Sequence, residues 1–154
     1  MRRILTFAML LVPGLVIAQV PGLRFHSPAV VASGGGNKLE EAYGCRGKDV
    51  VPPIVFDAIP QGTTSLELTM IDNGGVGPYA AEGKGFVHWH VLGLPGAISA
   101  YPRDGALPAG ARATMNGFGN AGYGGPCPPH PPHRYTLSVT ATPSGASYSI
   151  DFTY

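Results

Sequence analysis

The residues best suited to chemistry fall in three stretches of the chain: Asp72, the segment His88-Trp89-His90, and Gly122-Tyr123-Gly124-Gly125-Pro126-Cys127-Pro128-Pro129-His130-Pro131-Pro132-His133-Arg134-Tyr135. His88, His133 and the Tyr135 hydroxyl can each donate to an oxyanion, and the glycines through Gly125 can add backbone N–H groups. Asp72 would repel a phosphate directly, so it makes better sense beside an imidazole, orienting the ring and favouring its charged form. The combination suggests a pocket for an anionic group such as phosphate. Each residue also has an ordinary use. Asp72 precedes Asn73-Gly74-Gly75 and can start a turn, while His88, His133 and Tyr135 can be satisfied residues of a core.

A metal site is the alternative. His88 and His90 are two residues apart, which predicts one shared strand face, and His130 and His133 form a second pair. Neutral imidazole suits zinc or copper. No glutamate lies within 85–95, and the cysteines are better used in a disulfide. Nucleophilic catalysis has little support, because no Gly-x-Ser-x-Gly elbow occurs and a disulfide would silence Cys127. The expectation is a binding protein rather than an enzyme, with no cofactor.

Positioning these groups falls to strands. Leu66, Leu68, Met70 and Asp72 alternate with Glu67, Thr69 and Ile71, so Asp72 continues an apolar face. Phe86 to Leu94 reads as a strand with Phe86, His88, His90, Leu92 and Leu94 on one side. His133, Tyr135, Leu137, Val139 and Ala141 share a face of another, and Ser147 to Tyr154 follows the turn Pro143-Ser144-Gly145. Shorter strands are expected at Leu23 to His26 and Pro52 to Asp57. Ser33-Gly34-Gly35-Gly36-Asn37 reads as a turn, Lys38 to Tyr43 as one helical turn, and 95–121 as a long surface excursion. No sustained 3.6-residue period occurs, so the class is all-β or nearly so.

Composition narrows the setting. The 23 glycines and 16 prolines have no collagen period, and the strand-like runs between them argue for an ordered, loop-rich domain. Charged residues are 12% and no Lys/Arg block occurs, which excludes nucleic acid as an expected partner. Arg2 and Arg3, the apolar run Ile4 to Ile17 and Val16-Ile17-Ala18 read as a signal peptide over residues 1–18, ahead of one domain at 19–154. Pro13-Gly14 interrupts the run, so no transmembrane segment is expected after cleavage, and the location would be periplasmic or secreted. Losing Arg2 and Arg3 turns the formal charge from +1 to negative. An even pair of cysteines in an exported chain suggests a Cys45–Cys127 disulfide, the alternative being two buried thiols.

Taken together, Leu23-Arg24-Phe25-His26-Ser27-Pro28-Ala29, Gly44-Cys45-Arg46-Gly47-Lys48-Asp49-Val50-Val51-Pro52-Pro53, Pro60-Gln61-Gly62-Thr63-Thr64-Ser65-Leu66, His88-Trp89 followed by Leu94-Pro95, Gly125-Pro126-Cys127-Pro128-Pro129 and His133-Arg134-Tyr135 resemble one family. It is that of the phosphatidylethanolamine-binding proteins, in the bacterial Raf-kinase-inhibitor-like branch of YbhB and YbcL. The resemblance covers roughly residues 22–142. It implies a central antiparallel sheet with a smaller one, and an anion pocket formed by Asp72, His88, Pro128, Pro129, His133 and Tyr135. It also implies a phosphate-type ligand or lipid headgroup, and in some members inhibition of a kinase or protease. The chain departs from the family at Asp72-Asn73-Gly74-Gly75-Val76, where a second aspartate and two prolines are missing, and it stops at Tyr154 before the usual C-terminal helical segments.

Overall fold

A computed structural model of the chain describes residues 22–154. The signal-peptide expectation lies outside them, and no helix among the described residues is long and apolar enough to cross a membrane. Among the described residues nine strands account for nearly all regular structure: β1 Arg24–His26, β2 Val30–Ser33, β3 Gly36–Leu39, β4 Val55–Ala58, β5 Ser65–Gly75, β6 Val87–Pro95, β7 Arg112–Ala113, β8 His133–Thr142 and β9 Ser147–Thr153. Two short 3₁₀ turns, Glu41–Tyr43 and Gly77–Tyr79, complete it. The mainly-β expectation is met.

Seven strands form one sheet in the order β2-β3-β9-β8-β5-β6-β7, and β1 pairs with β4 in a separate small sheet. The large sheet is antiparallel except where β3 meets β9 in parallel, at Lys38 opposite Thr153. It is therefore mixed rather than wholly antiparallel. The long central strand β5 owes its place to strict alternation. Leu66, Leu68 and Met70 are buried, while Glu67, Thr69 and Ile71 face outward. β8 lies beside it with the same logic, Leu66 opposite Ala141, Leu68 opposite Val139 and Met70 opposite Leu137. One face of this ladder is thus apolar and the other carries Thr136, Ser138 and Thr140. The small sheet covers the apolar face through Phe25 and Phe56, with Phe25 edge-on to Tyr148 of β9 at 5.6 Å between ring centroids.

Three local expectations change. The Ser33–Asn37 turn shrinks to Gly34-Gly35, both at positive φ, and its flanks pair as the β2–β3 hairpin. Lys38 and Leu39 belong to that hairpin, so only Glu41–Tyr43 is helical. The excursion over 95–121 contributes the edge strand β7 and buries Tyr101 against Trp89. Glycine-rich stretches lack the apolar alternation that marks a strand, so backbone pairing there leaves little trace in the side chains.

Candidate functional site

At one end of β5, β6 and β8, the strand register builds a polar corner. Asp72 is opposite Tyr135 and Gly75 is opposite His133, with Asn73 left over as a bulge. The bulge keeps Asp72, His133 and Tyr135 on the buried side. A second irregularity sits on the other flank of β5, where Met70 is opposite Trp89 but Ile71 is opposite Val87, so His88 is the extra residue. That bulge changes the expected alternation. His88 turns inward together with Trp89, while His90, opposite Thr69, faces out to Glu67 and Thr114. His88 and His90 therefore do not share a face, and the metal pair predicted there does not form. Among the described residues no three His, Cys, Asp or Glu side chains gather in a way that would hold a metal ion.

The corner is a hydrogen-bonded chain. Asp72 Oδ1 accepts the Gly74 N–H at 2.6 Å, and Oδ2 lies 2.8 Å from His133 Nδ1. The other ring nitrogen, His133 Nε2, is 3.3 Å from Glu82 Oε2, and Glu82 also meets His130 Nδ1 at 3.2 Å. Partial burial works against ionisation of Glu82, but its hydrogen bonds to His130 and His133 prevail and hold the carboxyl below its ordinary range. His88 Nδ1–H donates to the Gly124 carbonyl at 2.8 Å, and the Gly124 N–H returns a bond to the His88 carbonyl. A carbonyl only accepts, so the proton sits on Nδ1 and Nε2 is left for the cavity. Burial pushes the His88 imidazole pKa down, and the Gly124 contact offsets only part of this. The ring is therefore neutral at pH 7.

These groups open into a cavity of about 260 Å³ lined by Asp72, Glu82, Gly83, Phe86, His88, Phe118, Cys127, Pro128, Pro129 and His133. Of the residues expected at the pocket, Asp72, His88, Pro128, Pro129 and His133 line it. Tyr135 and Gly125 do not. The Gly125 N–H is taken by Asp49 Oδ1 at 2.7 Å, and the Gly122 and Gly124 N–H groups go to the Thr114 and His88 carbonyls. No donor is left on those three glycines for a ligand, because the loop needs them to hold itself against Asp49 and β6. Tyr135 is wholly buried behind the wall, its ring edge-on to His88 at 5.3 Å and stacked on Phe152 at 5.6 Å.

Among the described residues the buried Tyr135 hydroxyl makes no well-formed hydrogen bond, although the Asp72 carboxylate lies near enough to act on it. Burial, and then the charge of Asp72, push its phenol pKa well up, so it stays protonated. An unmade buried bond costs about 1–3 kcal/mol. Tyr135→Phe keeps the ring stacking and removes that cost. It should stabilise the ligand-free protein by about 1 kcal/mol in urea unfolding, and a clear loss of stability would show that the hydroxyl has a partner.

Glu82, Gly83, Phe86 and Phe118 were not foreseen as site residues. Gly83 has a legible reason: it sits at φ +70, and a Cβ there would lie 2.5 Å from Asp72 Oδ2 and 3.1 Å from His133 Nδ1. The segment Glu82-Gly83-Lys84-Gly85 held that signal. The expected disulfide is present between Cys45 and Cys127, 82 residues apart, and places Cys127 in the cavity wall.

The sequence pattern of the phosphatidylethanolamine-binding protein family matches residues 31–153. The UPF0098 protein YbcL of Escherichia coli K12 is 38% identical over 107 residues, covering 64% of this chain and 56% of YbcL. A UPF0098 protein of Aquifex aeolicus is 38% identical over 112 residues, 69% of this chain and 61% of the relative. The chain thus spans little more than half the length of these two relatives. E. coli YbhB is 35% identical over 117 residues, 69% of this chain and 71% of YbhB. The crystal structure of E. coli YbcL superposes with a TM-score of 0.68 at 25% identity, covering 87% of this chain and 98% of that one. Its published description makes YbcL a member of the mammalian phosphatidylethanolamine-binding family. With the sheet order, the small second sheet and the Asp72–His133 corner in place, the chain belongs to the phosphatidylethanolamine-binding protein family, in its bacterial YbhB/YbcL-type branch.

Proposed function

We propose that this is an exported, non-enzymatic binding protein whose cavity takes a small phosphate-type anion, free or as a lipid headgroup. The observation that carries the reading is His88, whose Nδ1–H is fixed by the Gly124 carbonyl and whose Nε2 is left for a cavity of about 260 Å³ beside His133. The volume falls below the usual range for drug-sized ligands and suits a headgroup. The family name points to the same chemistry, and the disulfide fits an oxidising compartment.

Among the described residues no Lys or Arg lines this cavity, and Asp72 and Glu82 both do. Anion binding therefore depends on an imidazole gaining a proton. Free His88 is neutral because burial lowers its pKa from 6.5. A bound anion favours the imidazolium, so binding takes up a proton and must strengthen as pH falls. Glycerophosphoethanolamine is a suitable probe, since its phosphodiester does not titrate in this range. Its affinity, measured by calorimetry, should rise severalfold from about pH 8 to about pH 6, with a ceiling of tenfold per unit for one proton. His88→Gln should flatten the slope. Affinity independent of pH, or no binding at millimolar probe, would remove this reading.

A further inference from the structure

A second hollow shares no lining residue with the polar corner. Its volume is about 480 Å³ against about 260 Å³ there, inside the range of about 300–1,000 Å³ usual for small-molecule sites. The small sheet builds one part of it. The Ile54 carbonyl accepts the Tyr101 N–H at 3.0 Å, the Ser99 carbonyl accepts the Phe56 N–H at 2.9 Å, and Val55 bridges to Ala100, so the segment 99–101 lies against β4. The turn that follows, closed by the Gly105 N–H on the Pro102 carbonyl, carries Arg103. A separate tie, the Glu40 N–H on the Ala29 carbonyl, fixes Glu40 at the entry to Glu41–Tyr43. Val50, Val51, Pro53, Ile54 and Val55 supply aliphatic walls. Three polar groups at this hollow are unanswered. Glu40 and Arg103 both line it, yet every ion pair among the described residues involves a histidine, so neither is paired with the other or with a neighbour. The third is Tyr101, which is 3% exposed and whose hydroxyl makes no hydrogen bond among the described residues. Unlike that of Tyr135, this hydroxyl is not sealed off, and the space Tyr101 lines is the hollow. Burial, and then the charge of Asp104, push its phenol pKa up, so it stays protonated and can donate.

We propose that this hollow is a second binding site, which takes a short peptide with aliphatic side chains and both ends free. Its ammonium meets Glu40, its carboxylate meets Arg103, and one backbone carbonyl accepts from the Tyr101 hydroxyl. Charge complementarity selects this class of ligand. An anion would satisfy Arg103 and be opposed by Glu40, and a cation would do the reverse. A hydrocarbon chain would cover all three polar groups and answer none of them. A free-ended peptide meets both charges, offers carbonyl acceptors along its length, and buries its side chains against the valine-lined walls. The buried phenol gains a partner when the peptide binds, so the hydroxyl contributes to affinity rather than to the fold. The site is independent of the anion-pocket reading, because Asp72, His88 and His133 take no part in it.

The test is calorimetry with trivaline, read alongside the emission of Trp89, the single tryptophan of the chain, whose ring meets Tyr101 edge-on at 4.9 Å. Trivaline should bind and change that emission. Tyr101→Phe keeps the ring packed on Trp89 and should weaken binding roughly fivefold, the usual worth of one neutral hydrogen bond, with the urea midpoint unchanged or higher. Glu40→Gln and Arg103→Gln should each weaken it about two- to fivefold, as exposed charges do, and by less in about 0.5 M salt. Trivaline acetylated at its amino end and amidated at its carboxyl end should bind about tenfold more weakly. Glycerophosphoethanolamine should not compete. No heat and no change in emission at about 10 mM trivaline overturns the proposal. Full affinity in the Tyr101→Phe chain overturns it too. So does equal affinity for the blocked peptide, which would mean that the hollow reads an internal stretch of another chain. Competition by glycerophosphoethanolamine would put the peptide in the polar corner and overturn the second site, while leaving the anion pocket standing.

Discussion

Asp72→Ala is expected to destabilise the protein by about 3–5 kcal/mol, among the largest effects of any single substitution in the chain. Asp72 and His133 are 3% and 1% exposed, and each is the other's principal partner at 2.8 Å. Removing the carboxylate strands the Nδ1 side of a buried imidazole and also frees the Gly74 N–H, which Asp72 Oδ1 accepts at 2.6 Å. Two buried polar groups lose partners at once. Asp72→Asn separates the terms. Its side-chain oxygen can keep the Gly74 bond, and its amide can face a bare Nδ1 while Nε2–H still donates to Glu82 Oε2 at 3.3 Å. The cost should fall to about 1–2 kcal/mol, close to that of one neutral hydrogen bond. Urea unfolding gives both numbers, and nitrogen NMR of His133 reports whether Nδ1 has become bare. A loss below about 1 kcal/mol for Asp72→Ala would mean that the pair does not hold this corner.

The Asp72–His133 pair was legible because alternation is a strong signal on long half-buried strands. Leu66, Leu68 and Met70 fix the face on which Asp72 falls, and Leu137 and Val139 do the same for His133 and Tyr135. Their convergence then follows from β5 and β8 being neighbours, which strand periodicity alone does not give. The disulfide was legible from cysteine number and the expected export signal. What failed did so for two physical reasons. A bulge adds one residue to one strand and reverses every side chain beyond it, which is why His88 and His90 part company on β6. Backbone donors cannot be assigned from composition: the glycines at 122, 124 and 125 look like an anion nest, yet their N–H groups are spent on Thr114, His88 and Asp49. Tyr135 shows a finer limit. Its face was read correctly, but whether a large residue on that face lines a cavity or lies behind it depends on depth. The remaining site residues, Glu82 and Phe118, come from loops whose course is set by contacts distant in sequence, Glu82 by His130 and His133 and Phe118 by Asn116 and Phe86.

Loss of the Cys45–Cys127 disulfide should be the second large effect, and its consequences should be unequal across the molecule. Linking residues 82 apart removes on the order of 4 kcal/mol of unfolded-chain entropy in the polymer description, and measured losses for native disulfides run about 2–5 kcal/mol. For a domain of this size that corresponds to a fall in melting temperature of roughly 10 °C. The folded side matters as well. The bridge pins the loop after Glu41–Tyr43 to the proline corner, helped by the Cys45 N–H to the Pro126 carbonyl at 3.0 Å, Arg46 Nη2 to the Pro128 carbonyl at 3.3 Å, and Asp49 to the Gly125 N–H. Those contacts hold Cys127, Pro128 and Pro129 as one wall of the cavity. None of them belongs to the β5–β8 ladder, so the sheet should survive reduction while the wall loosens. In a Cys45→Ala/Cys127→Ala chain below its melting temperature, amide exchange should quicken over 44–49 and 122–130 and stay slow in β5 and β8. Affinity for glycerophosphoethanolamine should then drop more than the loss of folded fraction explains, because the wall must be ordered again on binding. Uniform quickening across both sheets would instead mean that the bridge acts only through the unfolded chain, and the proline corner would be rigid on its own account.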